Sequence, residues 1–356
     1  MPLLAIETSC DETCAAVMAE GRLLANVIAS QEIHQQYGGV VPELASRAHL
    51  RHISGVVRKA LERAQVPPQD LRALAVTYGP GLVGSLLVGV SFAKGLALDL
   101  KVPLLGINHL EGHLFSNNID PGGPEPPFLG LIVSGGHSIL ALVKARGDYE
   151  ILGETQDDAA GEAFDKVGRI LGLPYPGGPQ IEKLAQSGNS AAVSFPIARL
   201  KDAPFDFSFS GLKTAVWYHL RDKTASPENG SSTRSESLDE FARLKAEVAA
   251  SFQKALITAL VETTARAHER WPVAAVALAG GVACNQALRT AFSELGRQRG
   301  FKLFYPLPVY CTDNAAMIAA AAEFYLKRER TSNRLRYQDS FHLSPQPGLR
   351  LASTSK

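Results

Sequence analysis

A single order of secondary-structure elements runs through the chain twice, and no other feature narrows the fold as far. Residues 3–6 read as a strand, 9–13 as a polar turn, 14–18 as a second strand and 22–30 as a third. A helical pattern then runs from Pro42 to Ala64; proline suits its first turn, where the missing N–H has no partner to lose. The second half repeats the series with strand 128–133, the tight turn Ser134-Gly135-Gly136-His137, strands 138–143 and 149–154, and a helix over 157–171. Asp157 and Asp158 stand at the start of that helix, where carboxylates are expected to cap free N–H groups and suit the dipole. The back halves match as well. Strand 73–76, a Gly79-Pro80-Gly81 turn, a buried helix over 82–98, strand 103–107 and a helix from His109 make up the first. Strand 274–278, the Gly280-Gly281 turn, a helix over 285–297, strand 302–305 and a helix from Asp313 make up the second.

Three adjacent strands followed by alternating helices and strands predict a mixed sheet flanked by helices. Two copies predict a duplicated α/β protein of two lobes with a central cleft. The lobes are expected over 1–120 and 121–330, joined by the Pro-rich stretch 118–127, with a polar tail over 331–356. A polar, low-complexity insert lies near 224–237. A chain of 356 residues, 46% of them hydrophobic, can bury two such cores. Lys and Arg (36) nearly balance Asp and Glu (35), which excludes a surface coated in positive charge but leaves room for a basic patch. Lys327, Arg328, Arg330, Arg334 and Arg336 form such a run, either a solvated face or a contact for nucleic-acid phosphates. Four cysteines with no C-x-x-C spacing exclude a disulfide scaffold. The first residues lack the features of a secretory leader, and the longest apolar run, 82–98, holds Lys94 and three glycines. It falls short of the roughly 20 residues of a bilayer span. A soluble, cytoplasmic protein with no membrane partner is expected.

The sequence His109-Leu110-Glu111-Gly112-His113 sets two imidazoles at i and i+4, one turn apart on one helix face, a spacing that clamps a single metal. The competing reading is a pair of surface histidines. Glu111 lies two residues after the first histidine, off that face, so the zinc-protease spacing is absent. Asp313 holds the place in the second half that His109 holds in the first, at the start of the helix after the last strand. Two related lobes would bring these helix starts together across the cleft, and a His, His, Asp set leaves coordination positions open, as in catalytic sites. Mixed N and O donors suit Zn²⁺ or Fe²⁺ equally. Asp313 could instead be an ordinary helix cap.

Glycine turns are a second constellation. Ser134-Gly135-Gly136-His137 and Gly280-Gly281 let backbone N–H groups approach an anion; a hairpin needs glycine in any case, and it is the set of such turns around one cleft that favours a nucleotide. The matching turn of the first half, Ser9-Cys10-Asp11-Glu12-Thr13, offers carboxylates instead. A third constellation is acidic: Asp158, Glu162 and Asp165 at i, i+4 and i+7, interleaved with alanines and followed by the Tyr175-Pro176-Gly177-Gly178-Pro179 loop. It is either a solvated face or a place to hold ligand hydroxyls.

Eight ordered stretches resemble the TsaD/Gcp family. In the first half they are Ile6-Glu7-Thr8-Ser9-Cys10-Asp11-Glu12-Thr13, the run from Gly38 to Arg47, and Asn108-His109-Leu110-Glu111-Gly112-His113. Val133-Ser134-Gly135-Gly136-His137, the run from Asp157 to Lys166 and Phe207-Ser208-Phe209-Ser210-Gly211-Leu212-Lys213 follow. The run from Ala279 to Asn285 and Cys311-Thr312-Asp313-Asn314-Ala315-Ala316 complete the set. The resemblance implies an actin-like (ASKHA, ribonuclease H-like) fold, itself a duplication. It implies transfer of a threonylcarbamoyl group from threonylcarbamoyl-AMP to N6 of adenosine 37, in tRNAs that read codons starting with A. One divalent metal per subunit, Fe²⁺ or Zn²⁺, would be held by His109, His113 and Asp313. The nucleotide, threonylcarbamoyl-AMP or ATP, would be held by Ile132, Val133, Ser134, Gly135, Gly136, Asp165, Gly178, Glu182 and Asn285. The family often has Asp where this chain has Glu182, and its usual basic-aromatic ending is missing from this tail.

Partners implied are tRNA, a shorter ASKHA-fold paralogue and a small P-loop ATPase, with the helical stretch 41–61 offering apolar surface to the paralogue. For catalysis, Asp11 is the candidate base or amine-orienting group, with Glu12 second. Two other activities fit the same fold: a metal-dependent endopeptidase and an ATP-binding scaffold or sugar-kinase-like enzyme.

Overall fold

A computed structural model describes residues 1–225, 234–332 and 342–351. The middle of the polar insert, most of the tail beyond Ser332, and Arg334 and Arg336 of the basic run lie outside the described residues.

The chain opens with β1 (Pro2–Glu7), β2 (Glu12–Ala19) and β3 (Arg22–Ser30), then α1 (Pro42–Ala64), β4 (Ala73–Gly79), α2 (Val83–Leu100), β5 (Leu104–Asn108) and α3 (His109–Phe115). The second series is β6 (Phe128–Val133), β7 (Ser138–Ala145), β8 (Asp148–Glu154), α4 (Ala160–Ile170), α5 (Gly177–Ala185), α6 (Ser210–Ala225), α7 (Arg234–Arg270), β9 (Ala275–Ala279), α8 (Gln286–Arg299) and β10 (Lys302–Phe304). The short α9 (Pro308–Cys311) and α10 (Ala315–Ser332) end the helical part.

The duplication holds in the sheets. The first runs β3-β2-β1-β4-β5 and the second, read from its other edge, β8-β7-β6-β9-β10. In each, the first two strands of the series pair antiparallel and the fourth joins the first in parallel. In the first sheet, successive side chains of β1 enter opposite cores, as the two-residue repeat of a strand requires. Leu3 and Ala5 pack with the alanine-rich face of α10, whereas Leu4 and Ile6 pack with α1 and α2. Burial on both faces explains why β1 and β2 read as nearly unbroken apolar runs.

Two compact units result. One comprises Met1–Pro126, Ala145–Tyr149 and Phe304–Lys356, and the other Pro127–Lys144 and Glu150–Leu303. This differs from the division at residue 120 in one consequential respect: the chain beyond Leu303 belongs to the first unit. The physical reason is α10, whose residues Ala315 to Ala322 are buried against Leu3, Ala5, Cys14, Ala16 and Met18 of the first sheet. Asp313 therefore shares a unit with His109 and His113, rather than belonging to a second lobe.

The helix expected as buried over 82–98 buries one face only. Leu86, Val90, Ala93 and Ala97 are covered, while Val83, Leu87 and Leu98 are exposed by 62%, 53% and 65%. Among the described residues this helix alone has the length and apolarity to cross a membrane, and its covered face packs on the first sheet.

Candidate metal centre and ligand-binding turns

β5 delivers its last residue, Asn108, to the start of α3, where its side-chain oxygen accepts from the N–H groups of Leu110 and Glu111. That cap fixes the helix at its first turn and so aims His109 and His113 the same way. Both imidazoles are buried, which removes the surface-pair reading. Far along the chain, Asn314 caps α10, accepting from the Met317 N–H at 3.0 Å. Asp313 is thereby released from the capping role. Its Oδ1 lies 3.5 Å from His109 Nε2 and 3.3 Å from His113 Nε2. One donor atom from each of the three residues falls within 4.8 Å of the others.

The site fits a cation by two observations. Within the fully buried ring of His113, Nδ1 has no hydrogen-bond partner and Nε2 has only Asp313, at 3.3 Å and off good hydrogen-bond geometry, and such under-satisfied buried groups are costly unless something binds them. His109 is prepared from behind: its Nδ1 lies 3.0 Å from Glu7 Oε2 and 3.1 Å from Ser9 Oγ. A carboxylate on Nδ1 holds a proton there and leaves Nε2 as the nitrogen that faces Asp313 and can exchange its own proton for a cation. Burial alone would keep the ring neutral, but Asp313 and Glu7 outweigh it and push His109 up to about 9. The pocket thus draws positive charge to itself, and a divalent metal satisfies the same demand.

Glu111 takes no part in that donor set. It is buried, and Oε1 accepts from the Tyr149 hydroxyl at 2.6 Å and from the Tyr325 hydroxyl.

The acidic turn lies in the same unit. Burial, followed by Asp313 and Asp11, pushes the Glu12 carboxyl up to about 10. Asp11 and Glu12 are both half-buried. Cys10 is unsuited to be a nucleophile or ligand, because burial and then Asp11 hold its thiol far above the usual range.

In the second unit, β6 ends at Ile132 and Val133, both fully buried, and feeds the turn to β7. Ser134 closes this turn twice, its N–H donating to His137 O at 2.8 Å and its Oγ accepting from the His137 N–H at 3.1 Å. Gly135 and Gly136 are left exposed. A Cβ added to either would meet nothing within 4 Å. Nothing in the chain itself crowds out a side chain at either position, so the open space above them suits a ligand seated on backbone. Around the turn, crowding is real: a Cβ on Gly161 would come within 2.6 Å of Ser134 O, and one on Gly280 within 2.4 Å of Val133 O.

The acidic face behaves differently from expectation. α4 begins at Ala160, and neither Asp157 nor Asp158 caps it. Asp157 is drawn away to the start of α6, where it accepts from the N–H groups of Phe209 and Ser210 and the hydroxyls of Ser208 and Ser210. Asp158 and Glu162 share Lys166, at 2.5 and 2.9 Å. Asp165 holds the proline-glycine loop, accepting from Gly177 N–H at 2.7 Å. Glu182 accepts from Gln286 N–H at 2.6 Å. Asn285 caps α8 through Leu288 N–H and donates to Gln253. These three side chains serve the fold in this state, while Gly135 and Gly136 of the Ser134 turn are exposed. Sequence reasoning missed Glu7, Thr77, Tyr149 and Tyr325. Glu7 did carry a signal, a carboxylate closing an otherwise apolar strand.

The profile of the family described as tRNA N6-adenosine threonylcarbamoyltransferase (TsaD) matches residues 22–320. A relative of that name from Clostridium perfringens is 50% identical over 351 residues, covering 98% of each chain. One from Clostridium beijerinckii is 47% identical over the same length. Among solved structures, HypF of T. kodakarensis aligns with a TM-score of 0.59 at 14% identity, over 95% of this chain and 48% of that one. The activator of 2-hydroxyisocaproyl-CoA dehydratase from Clostridium difficile, solved with bound ADPNP, aligns with a TM-score of 0.51 at 13% identity, over 93% and 98%. These two likenesses speak for the fold, which is of the actin-like ASKHA class. The expected family is borne out by the first two, and the chain belongs to the tRNA N6-adenosine threonylcarbamoyltransferases.

Proposed function

We propose that the chain transfers a threonylcarbamoyl group from threonylcarbamoyl-AMP to N6 of adenosine 37 in tRNAs reading codons that start with A. The observation that carries this reading is the convergence of the buried His109 and His113 with the half-buried Asp313, beside an acidic turn, in a member of this family. The donor is a mixed anhydride, and its carbonyl carbon is the electrophile. The adenine amine is a poor nucleophile, because its lone pair is delocalised into the ring. N6 forms a bond to the carbonyl carbon, the bond from that carbon to the phosphate oxygen breaks, and AMP leaves.

In this reading the N–H groups of Gly135 and Gly136, above which a Cβ would meet nothing within 4 Å, meet the developing negative charge. Ser134 fixes their geometry through its two bonds to His137. Asp11 takes the proton lost by N6, and Glu12, second to it and held in its neutral form by burial, Asp313 and Asp11, orients the amine. A divalent Fe²⁺ or Zn²⁺ held by His109, His113 and Asp313 supplies Lewis acidity and charge neutralisation. Glu7 and Ser9 orient His109 for that task. Ile132, Val133, Asp165, Gly178, Glu182 and Asn285 complete the nucleotide-binding set. The side-chain bonds of Asp165, Glu182 and Asn285 hold the loop and the α8 start in register.

The partners in this reading are tRNA, the adenylate donor, a shorter ASKHA-fold paralogue and a small P-loop ATPase, all in the cytoplasm. The exposed Leu50, on the stretch expected to face the paralogue, and Val83 and Leu87 of α2 give that partner an apolar surface. The endopeptidase reading is weaker, because the carboxylate between the histidines is committed to two tyrosines. The deciding experiment incubates the protein and its partners with unmodified tRNA and threonylcarbamoyl-AMP, then weighs the nucleosides. A mass gain on adenosine supports the reading. Release of phosphate from ATP with no modified nucleoside would favour the ATP-binding scaffold, and peptide cleavage the endopeptidase.

A further inference from the structure

The acidic turn is held residue by residue, and the group that clasps its two ends is a histidine outside the candidate site. On the α2 side, Thr8 Oγ1 donates to Ser85 O at 2.9 Å, the Leu82 N–H donates to Ser9 O at 2.8 Å, and Ser85 Oγ donates to Cys10 O at 3.3 Å. Close approach of α2 demands glycine: a Cβ on Gly89 would fall 2.2 Å from Thr8 Oγ1, and one on Gly81 2.5 Å from Ser9 O. On the α1 side one side chain does the work. His49, fully buried, places Nε2 at 2.9 Å from Cys10 O and Nδ1 at 2.8 Å from Thr13 Oγ1. A carbonyl partner on Nε2 requires a proton there, so Nδ1 accepts from the Thr13 hydroxyl and the ring is neutral. Burial, the largest influence on this ring, favours the same neutral form.

Cys10 and Thr13 bracket Asp11 and Glu12. Both acids are only half-buried, on a turn whose flanking residues Ser9, Cys10 and Thr13 carry the bonds to α2 and α1, so the anchors at its two ends decide where the two carboxyl groups are presented. We infer that His49 is the positioning residue that holds Asp11 and Glu12 in working geometry for the transfer step, acting through Cys10 O and the Thr13 hydroxyl. The inference rests on the proposed transferase reading and deepens it. It assigns a role to a residue that touches neither substrate nor metal.

The test uses the full chain, loaded with metal and combined with its partners. His49→Phe keeps a ring of similar size and removes both bonds. Thr13→Val is close to isosteric and removes one of them from the opposite side. Both variants are expected to fold and to bind metal at the wild-type stoichiometry. Their kcat should fall, by about 10- to 100-fold for His49→Phe, as a small displacement of an acid-base group does. KM for tRNA should stay within about threefold, the signature of an interaction felt in the transition state. The double variant should lose no more than His49→Phe alone, because both act through one clasp. His49→Gln, which can still donate and accept, should recover part of the rate. The nitrogen-15 spectrum of wild-type His49 should show the neutral Nε2–H tautomer. A folded His49→Phe protein with wild-type kcat would overturn the inference, as would loss of metal in step with loss of activity or additive losses in the double variant. Absence of any transfer by the wild-type complex would instead overturn the transferase reading itself.

Discussion

Glu7 and His109 are bonded through Oε2 and Nδ1 at 3.0 Å, and the same carboxylate oxygen accepts from the Thr77 hydroxyl at 2.5 Å. A buried acid at the end of β1 thus decides which nitrogen of a helix-borne imidazole faces Asp313. Glu7→Gln keeps the volume but can offer Nδ1 an N–H as readily as an oxygen, which loosens both ring orientation and tautomer. Metal affinity, measured by competition with a chelator on the apo protein, is expected to drop about 10- to 100-fold. An unchanged affinity would show that Glu7 merely fills space.

Glu111 ties three parts of the first unit together, since Tyr149 and Tyr325 both donate to its Oε1 and α3 carries it. Tyr325→Phe removes one of those bonds without opening a cavity. The expected cost is about 1–2 kcal/mol in equilibrium unfolding, the usual worth of a buried bond to a carboxyl group. Metal binding is expected to weaken with it, because α10 also brings Asp313. A midpoint indistinguishable from wild type would mean that Tyr149 alone suffices to hold Glu111.

The strands, α1 and the His109/His113 pair were legible because each rests on local periodicity, which a chain shows residue by residue. The convergence with Asp313 was legible from the repeated order of elements, although the duplication suggested the wrong unit for it. What ties α10 to the first sheet is a run of small alanines, whose burial no spacing rule announces. Asp157 was misread for a related reason. It stands where a helix cap should be, but Ser208, Phe209 and Ser210 offer four donors from 51–53 residues away. Competition between local and distant partners is settled by the fold, and Glu182 was drawn to the start of α8 in the same way, over 104 residues.

Asp157 also sets a pH dependence. Burial would raise its carboxyl, but the Ser208 and Ser210 hydroxyls and the Phe209 and Ser210 N–H groups outweigh it and hold it below the ordinary value. A carboxyl lowered by folding stabilises the native state fully above its unfolded pKa of about 3.9 and loses that contribution as pH falls through the folded value. Asp157→Ala is therefore expected to cost about 1 kcal/mol at pH 7, the worth of a helix cap. The gap from wild type should narrow below about pH 4. Urea unfolding of both proteins from pH 7 to pH 3 checks this, and a gap that widens toward acid would contradict the sign.

Gly135 and Gly161 separate ligand space from packing. Both lie near the Ser134 turn, yet a Cβ on Gly135 meets nothing within 4 Å, whereas one on Gly161 would press on Ser134 O at 2.6 Å. Gly135→Ala should leave unfolding stability within about 0.5 kcal/mol of wild type, as for a surface change that touches nothing. If the open space is where the adenylate lies, the added methyl group stands between the donor and the backbone N–H groups, and donor affinity is expected to fall at least about tenfold. Gly161→Ala should show the reverse order of effects, with destabilisation first, because a helix start must back away from a carbonyl it already bonds at 3.1 Å. Calorimetric titration with a non-hydrolysable threonylcarbamoyl-AMP analogue, beside thermal unfolding of the same samples, reads both quantities at once. Equal donor affinity in wild type and Gly135→Ala would move the nucleotide away from this turn and leave its two glycines without a ligand to explain them.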